Sequence, residues 1–411
     1  MPGRPSRQLA PLGVAGFRLL FFSTLASSFG TLLAAVALAI DVKDRTNSGL
    51  WVGGVLLVEF LPAIVVGLTL GPLLDRLERR RLMVAADLLR AAVFAALPFA
   101  TSAGQIVALA MVAGLATGFF RPAVYAGVPN LVDEAMLGPA NALLQTIENA
   151  SWAAGPVVGG VLTAAAGPDA SYWINAVSFL VSAAFVFRIP ARLLQSETAL
   201  TRGHWTDLKE GFSTVLRSRP LLAVLVGWGL ALGGTGAIGV AEVFMAKNTL
   251  DAGDFGYGLI YGAIGVGLVV GSFFSSAVVD RIGIARTYGA SLLVMAAGFG
   301  AGAASVDIWM AAACCAFAGV GNGVAVVCNA LLVQRTRDDV RGRALTFVMS
   351  ATWVGMGIAI VATGALMSPG DARWVWGIGA GILAVAAAIG WALARAPAEA
   401  SVRGRAVVEL N

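Results

Sequence analysis

The chain has 411 residues, of which 58% are hydrophobic and only 12% are charged, and its net charge is +5. In a soluble domain about a quarter of the residues are charged, so this composition excludes an ordinary soluble protein. Apolar runs of about twenty residues recur along the sequence, and a helix of that length crosses the hydrocarbon core of a bilayer. The short alternating strands of a membrane β-barrel are not seen. The sequence therefore predicts an all-α, multi-pass membrane protein.

Twelve apolar segments are predicted to span the membrane. They are residues 14–40, 51–74, 82–101, 105–130, 140–166, 170–188, 220–246, 255–279, 286–305, 308–333, 343–367 and 372–395. One connection is long and polar, and it divides the segments six and six. We therefore predict an N-terminal half over 1–188, a central loop over 189–219, a C-terminal half over 220–395 and a tail over 396–411.

The placement of arginine and lysine predicts the orientation of the chain. An even number of spans puts both termini on one side, and that side collects the arginines of 76–81, of the central loop and of 335–343. The opposite loops hold only Lys43, Arg45, Lys247 and Arg373. Because short positively charged loops stay in the cytoplasm, the termini and the central loop are expected there. The positive charge then reflects topology and contact with anionic lipid, not nucleic acid.

A charged stretch, GPLLDRLERRR, occupies residues 71–81 between the second and third segments. An echo of it, Asp280-Arg281, lies at the same end of the eighth segment, 205 residues after Asp75-Arg76. Two halves in the same orientation imply a pseudo-twofold axis along the membrane normal. Transporters built in this way bind their substrate near the midplane, between the halves.

The charged stretch resembles the loop signature of the major facilitator superfamily, G-x-x-x-D-R-x-G-R-R. Glu78 stands where that signature has its second glycine, whereas the echo in the second half has Gly283. The matching residues are Gly71, Asp75, Arg76, Arg79 and Arg80. Three further stretches are similar to the branch of this superfamily that contains bacterial enterobactin exporters, macrolide efflux proteins and actinobacterial multidrug pumps. They are FGYGLIYGAIGVGLVVGS, EGFSTVLRSRPLL and VRGRALTFVMSA.

The resemblance implies the major facilitator fold in a bacterial cytoplasmic membrane, and a monomer without a cofactor. It also implies a secondary transporter that exports amphipathic small molecules (drug, antibiotic or siderophore) in exchange for protons, by alternating access. Import driven by a substrate gradient, or transport of lipid or lysophospholipid, stays open as an alternative. ATP as a fuel is disfavoured because the phosphate-binding motif G-x-x-x-x-G-K-[ST] is absent. A membrane-embedded enzyme is disfavoured because a constellation of histidine, cysteine or paired acids is missing, and the one histidine, His204, lies in the central loop and cannot build a metal site.

The charged stretch and its neighbours are predicted to form a cytoplasmic gate. Asp75 can accept hydrogen bonds from the N-terminus of the eleventh segment, or pair with Arg343. Asp87 and Arg90 are three residues apart on one helix face, and we expect them to brace this gate in preference to transferring protons. An orientation anchor is the alternative role for Arg80. The predicted gate residues are Gly71, Asp75, Arg76, Arg79, Arg80, Asp87, Arg90, Asp280, Arg281 and Arg343.

Three acids inside the spans, Glu59, Glu148 and Glu242, are candidates for proton coupling, because a charge in hydrocarbon is costly and usually functional. Removal from water favours the neutral form of a carboxyl group, which then can load and release a proton. Glu59 is the first candidate since it has no charged neighbour in the sequence. Glu148 could instead only pair with Arg121, and Glu242 could lie in the outer headgroup zone.

The substrate cavity is assigned by analogy with the family. An apolar and aromatic lining with a few polar groups suits an amphipathic organic substrate. The candidates are Ser27, Phe120, Arg121, Trp228 and Asn322. The fifth segment carries Gly155, Pro156, Gly159 and Gly160, which resemble the end of the G-P-x-x-G-G motif of proton-linked exporters. Glycine and proline there are expected to let two helices approach closely and bend.

Overall fold

The protein is a bundle of long helices, seen in a computed structural model that describes residues 8–74, 77–194, 213, 215–216, 218–334 and 338–395. Of residues 60, 63, 64, 67–74 and 338–346 it describes only the backbone. Across these ranges the chain forms twelve long helices and no strand, so the predicted all-α fold with twelve spans is confirmed. Nine of the helices are long and apolar enough, over the residues described, to cross a membrane.

The helices are numbered α1 to α12 in chain order. They are α1 Ala15–Thr46, α2 Gly49–Leu74, α3 Arg79–Ala96, α4 Ala103–Leu131, α5 Leu137–Ala166, α6 Pro168–Phe187, α7 Arg219–Thr249, α8 Gly253–Ile282, α9 Ile284–Ala303, α10 Ile308–Gln334, α11 Asp338–Leu366 and α12 Ala372–Ala394. The helix α7 contains two π-helical stretches, Ala223–Trp228 and Met245–Thr249.

The helix α1 is longer than the predicted segment 14–40, because the charges at its end are neutralised. Asp41, which is buried, accepts hydrogen bonds from Arg45 Nε at 2.5 Å and from the Tyr172 hydroxyl at 3.0 Å. Arg45 also donates to the carbonyl of Ala100 at 3.0 Å. The chain then leaves the helix at Asn47, whose left-handed backbone (φ 45°) is a common helix ending.

The helices pack as two groups, α1–α6 and α7–α12, which are called here the N-terminal and C-terminal halves. Within the first group α1 packs on α5 and α6, and α3 packs on α4 and α6. Within the second, α8 and α9 pack on α10, and α7 packs on α11 and α12. Two helix pairs join the halves most extensively, α5 with α8 and α2 with α11. A ligand between the halves would therefore lie near these two pairs.

A buried ion pair on α3 holds the N-terminal half together. Asp87 bonds to Arg90, and both side chains are almost fully buried. Asp87 also accepts a hydrogen bond from Ser182 of α6 at 2.7 Å. The guanidinium group of Arg90 lies between the rings of Phe120 and Phe179, 4.4 and 4.3 Å from their centroids. Two aromatic faces and a carboxylate thus replace water around this cation.

These contacts show the surroundings of three residues with predicted roles. The Asp87–Arg90 pair joins α3 to α4 and α6 of its own half, and its part in a gate between the halves stays a prediction. Phe120 is 3% exposed, and its ring lies on Arg90 in the interior of the N-terminal half. Its place in the cavity lining stays a prediction.

Removal of the Asp87 carboxylate should destabilise the protein strongly. The Asp87→Ala variant leaves Arg90 charged and without its counter-ion, and loss of one partner of a buried pair costs about 3–5 kcal/mol in the free energy of unfolding. Thermal unfolding of the purified variant in detergent measures this loss. The matched control is Asp133→Ala, because Asp133 is exposed in a connection. A double variant, Asp87→Leu with Arg90→Leu, should recover most of the stability, and an unchanged midpoint for Asp87→Ala would contradict this assignment.

Candidate functional site

One end of the bundle, where α1 and α7 end, is closed by an ion network between the halves. Lys247 of α7 donates to Asp44 Oδ2 of α1 at 2.7 Å and also pairs with Asp254 of α8. Beside it, Asn248 reaches Asn47 at 3.5 Å. The positive charge of one half is therefore held by carboxylates of both halves. This end is called the Asn47 end below.

The two helix pairs that join the halves, α2 with α11 and α5 with α8, are also in close contact. On α2, Gly49 and Gly53 lie against the backbone of Gly364 and Ile360 of α11. On α5, Gly160 lies against Gly258 of α8, where a side chain on either would come within 2.8 Å of the other's Cα atom. Because glycine has no side chain, the backbones can touch and leave no passage between them.

The opposite end contains polar side chains that need water. Asn141, Gln145 and Asn149 lie in the first half of α5, and the first two are exposed. Glu148 on the same helix accepts hydrogen bonds from Arg121 at 3.0 Å and from the Tyr125 hydroxyl at 2.9 Å. Exposed polar side chains on a membrane helix are more stable in contact with water than with lipid. We therefore expect this end to be in contact with water.

Arg121 and Glu148 form the ion pair that the sequence left open as one alternative. The side chain of Arg121 is 60% exposed, and that of Glu148 is 15% exposed. Both carboxylate oxygens of Glu148 are engaged, one by Arg121 and one by Tyr125. A proton on this acid would have to displace a bound cation, so Glu148 is less suited to proton uptake than an acid without a partner.

Glu59 and Glu242 are acids without a partner among the described residues, and they come from different halves of the chain. Glu242 is 5% exposed, and Glu59 of α2 is partly buried. In the part of the chain described here, neither carboxyl group has a hydrogen-bond or ion-pair partner. Both lie within electrostatic range of the same two tyrosines of α8, Tyr257 and Tyr261. Two acids far apart in the sequence are therefore brought to one place between the halves.

Three aromatic rings are grouped near these two acids. The rings of Tyr257 and Tyr261 are stacked, with centroids 6.1 Å apart and an angle of 15° between their planes. The ring of Trp152, on α5, meets Tyr261 edge-on at 5.6 Å. We call Glu59, Glu242, Tyr257, Tyr261 and Trp152 the acid–aromatic site. It is built by α2 and α5 from the N-terminal half and by α7 and α8 from the C-terminal half.

The aromatic part of this site and the ion network are not predicted from the sequence. The two tyrosines stand four residues apart in FGYGLIYG, so they share one face of α8, and this spacing was a usable signal. Lys247 was counted only as a loop residue for orientation. Its partner Asp254 is seven residues away but its partner Asp44 is 203 residues away, and no local pattern links all three.

The other predicted cavity residues lie in varied surroundings. Ser27 is buried, whereas Trp228 and Asn322 are partly buried. Of the motif on α5, Gly155 and Gly159 lie against Leu32 and Leu33 of α1, and Gly160 faces α8. The carbonyl group of Pro156 also lies against α8, at Gly258. The motif therefore lies against helices of both halves.

The predicted gate residues are described only in part. Arg79 donates to the carbonyl groups of Ala126 at 3.2 Å and Leu194 at 2.9 Å, and Arg80 lies over the ring of Phe187. Asp280 and Arg281 are exposed. Asp75 and Arg76 lie outside the described residues, as does the side chain of Arg343, and only the backbone of Gly71 is described. The gate itself stays a prediction.

The sequence model of the transmembrane secretion effector family matches residues 6–406 of the chain. Among curated proteins, the multidrug efflux pump Tap of Mycolicibacterium fortuitum is 30% identical over 48% of this chain and 51% of its own. Macrolide efflux protein A of Streptococcus pyogenes is 24% identical over 51% and 54%, respectively. An uncharacterised transporter of Bacillus subtilis, YfiS, is 29% identical over 50% of each chain. The chain spans about half the length of these curated relatives.

Solved structures share the fold at low sequence identity. A bacterial homologue of the iron transporter ferroportin, in an inward-facing state, superposes with a TM-score of 0.76 and 15% identity over 93% of this chain and 99% of its own. A bacterial homologue of the lysosomal transporter Spinster, inward-facing and unoccupied, gives a TM-score of 0.70 and 12% identity over 96% and 98%.

Loss of the Lys247 charge should open the Asn47 end more often. An ion pair at a partly exposed site contributes up to about 1 kcal/mol, so Lys247→Ala should raise the open population roughly fivefold. A cysteine at Val55 reports this change, because Val55 is fully buried one turn from Glu59 toward the Asn47 end. The measurement is its labelling rate by a membrane-impermeant maleimide, with the three native cysteines replaced.

The matched control for this experiment is Lys43→Ala. Lys43 also pairs with Asp44, at 3.6 Å, but both residues are on α1. Its removal breaks no bond between the halves and should leave the labelling rate near that of the parent. Equal rates for the parent and Lys247→Ala would show that the network does not hold this end closed.

Proposed function

Because the chain belongs to the transmembrane secretion effector family of the major facilitator superfamily, we propose that it exports amphipathic small molecules in exchange for protons. The observation that carries this proposal is the pair of unpartnered acids, Glu59 and Glu242, between the two halves. The names of two relatives, a multidrug efflux pump and a macrolide efflux protein, support the direction of transport.

The cycle proposed here is alternating access. With the termini in the cytoplasm, the Asn47 end faces outward, and the state described above is closed outside and open to the cytoplasm. Substrate then enters from the end that carries Arg121 and Glu148. Release outside requires that Lys247 leave Asp44 and that α5 and α8 separate near Gly160. The ion network is suited to this because an ion pair in partial contact with water is weak enough to break and re-form.

Protons are proposed to bind when the acids face outward and to leave when they face the cytoplasm. A carboxyl group in a site closed to water is stable only when it is neutral or paired with a cation. Among the described residues no cation lies beside Glu59 or Glu242, so closure without substrate favours their protonated forms. Glu59 is the first candidate for the coupling residue, and Glu242 is the second. Glu148, which is already paired, is the third.

The partners and location follow from the same proposal. A multi-pass transporter of this family needs a small-molecule substrate and a bilayer, here a bacterial cytoplasmic membrane with both termini inside. We propose that one chain is sufficient, because the acid–aromatic site is built from α2, α5, α7 and α8 of a single chain. Asp75 and Arg343 are proposed to close the cytoplasmic end in the outward-open state.

Substitution of Glu59 should uncouple transport from protons. In liposomes loaded with a pH-sensitive dye, each amphipathic compound that the wild-type protein moves should drive a counter-flow of protons. The Glu59→Gln variant keeps the size and polarity of the side chain but cannot ionise, so this substrate-dependent proton flux should disappear. Glu134→Gln is the control, because Glu134 is exposed in a connection far from the acids in the chain.

Two results would contradict the proposed function. One is transport of a compound by the wild-type protein without any proton movement. The other is an unchanged proton flux in a variant that carries glutamine at positions 59, 148 and 242 together.

A further inference from the structure

A long apolar groove lies on the surface of the C-terminal half, where α7 packs against both α11 and α12. Residues of these three helices line it, and its volume is about 780 Å³. None of the residues of the acid–aromatic site is among them. At the edges of the groove, Leu366 of α11 and Ile378 of α12 are exposed. Because exposed apolar side chains of a membrane helix contact lipid, the groove opens toward the bilayer.

Small residues make room for a ligand on the floor and on one wall of this groove. On α7, Gly229, Gly233 and Ala237 follow one another at intervals of four residues and therefore share one helix face. A Cβ atom at Gly233 would lie 3.9 Å from the Cβ atom of Ala359, and one at Gly355 would meet no atom of another described helix within 4 Å. An apolar chain can thus lie along the floor in contact with the helix.

The length of the groove corresponds to the depth of one leaflet. Its lining runs from Gly355 to Met367 on α11 and from Asp371 to Ile382 on α12, which is about 18 and 16 Å at 1.5 Å per residue. One leaflet contributes about 15 Å of the hydrocarbon core, and the acyl chains of its lipids span that depth. The groove begins at the Asn47 end, where Met367 lies against Gly49. It therefore has the position and length of an acyl chain in the leaflet at that end.

The groove is polar and negatively charged only where it meets the headgroup region. Asp371 is the one charged residue among the described residues that line it, and it is partly buried. Its Oδ2 atom accepts a hydrogen bond from the backbone N–H of Ser368 at 2.9 Å. The nearest cation in sequence, Arg373, donates instead to the carbonyl group of Ala303 at 2.8 Å. The exposed indole of Trp374 lies beside Asp371 in the chain, as is common at the membrane interface.

We propose that this groove, called here the α7–α11–α12 groove, binds a phospholipid that has an ammonium group. One acyl chain lies along α7 between α11 and α12, and Asp371 is the counter-charge of the ammonium group. Phosphatidylethanolamine has this chemistry, whereas an anionic headgroup would bring a second negative charge to the carboxylate. In the proposed orientation the lipid comes from the outer leaflet. The site is separate from the acid–aromatic site, and it does not depend on the proposed export function.

Native mass spectrometry of the purified full-length protein in detergent measures this binding. The probes are phosphatidylethanolamine and phosphatidylglycerol with the same palmitoyl and oleoyl chains, which are titrated separately. The first molecule of phosphatidylethanolamine should bind about fivefold more tightly than the first molecule of phosphatidylglycerol, because only the former can pair with Asp371. Equal or tighter binding of phosphatidylglycerol would overturn the proposal.

Variants of two glycines locate the bound chain. Gly233→Leu and Gly355→Leu each place a side chain in the groove, so each should weaken the first phosphatidylethanolamine at least about tenfold. The matched control is Gly377→Leu, because a Cβ atom at Gly377 also has no neighbour within 4 Å but this residue of α12 does not line the groove. It should bind as the wild type does, and thermal unfolding confirms that each variant is folded. Unchanged affinity in both groove variants would overturn the proposal.

A variant of the acid tests the headgroup. Asp371→Asn keeps an oxygen for the Ser368 N–H but removes the charge, so the preference for phosphatidylethanolamine should fall to within about twofold. Asp169→Asn is the control, because Asp169 is exposed in the first turn of α6. A preference that survives in Asp371→Asn would refute the role of the carboxylate. A dimer that Gly355→Leu abolishes while the first lipid stays bound would assign the groove to a second copy of the chain and overturn the proposal.

Discussion

The cost of an unpaired charge in hydrocarbon is the constraint on which the rest of this structure depends. Arg90 is enclosed by Asp87 and two aromatic rings, Asp41 is held by Arg45 and Tyr172, and Arg121 is held by Glu148. Each of these ions has a counter-ion within its own half. The exceptions lie between the halves, where Glu59 and Glu242 are left without a partner in the described chain. The acids proposed to carry protons are therefore those to which the described part of the fold gives no counter-charge.

The boundary between the halves combines two kinds of contact that differ in strength and reversibility. Backbone contacts at Gly49, Gly53, Gly160 and Gly258 depend on shape and hold only when the helices fit closely. The bonds of Lys247 depend on charge, act at a longer range and tolerate water. A structure that opens and closes benefits from both, since charge guides the ends together and close packing then excludes water. Alternating access needs states that differ by only a few kcal/mol, and neither kind of contact exceeds that scale alone.

The sequence predicted the fold well because hydropathy alone marks a membrane helix. All twelve helices lie at the predicted places, and the largest difference, the end of α1 at Thr46, comes from charges that are paired in three dimensions. The difference between the charged stretch and its echo in the second half also has a local cause. Gly283 takes a positive φ of 78° in the one-residue turn between α8 and α9, whereas Glu78 has an ordinary φ of −66° in the longer connection before α3. The replacement of glycine by Glu78 therefore matches a turn of different shape.

Of the residues that form the candidate site, only the acids could be predicted from the sequence. Glu59 and Glu242 stand out because a carboxylate in an apolar run is rare, but their convergence on Tyr257 and Tyr261 depends on helix packing between distant segments. The surroundings of Phe120 could not be predicted from the sequence either. Its position in α4 suggested the cavity by family analogy, yet the partner that buries it, Arg90, is on another helix.

The helix α8 has glycines on two faces, with Gly258, Gly262 and Gly265 against α5 and Gly267 and Gly271 against α10. On both faces the backbone is within contact distance of a neighbour, and any larger residue would force two helices apart. The remaining edge carries exposed side chains such as Val266, Val269 and Phe273, where many apolar residues would serve equally well. In evolutionary terms, this helix can accumulate substitutions along one edge only. Much of its sequence is fixed by the neighbours on either side, before any demand from a ligand is considered.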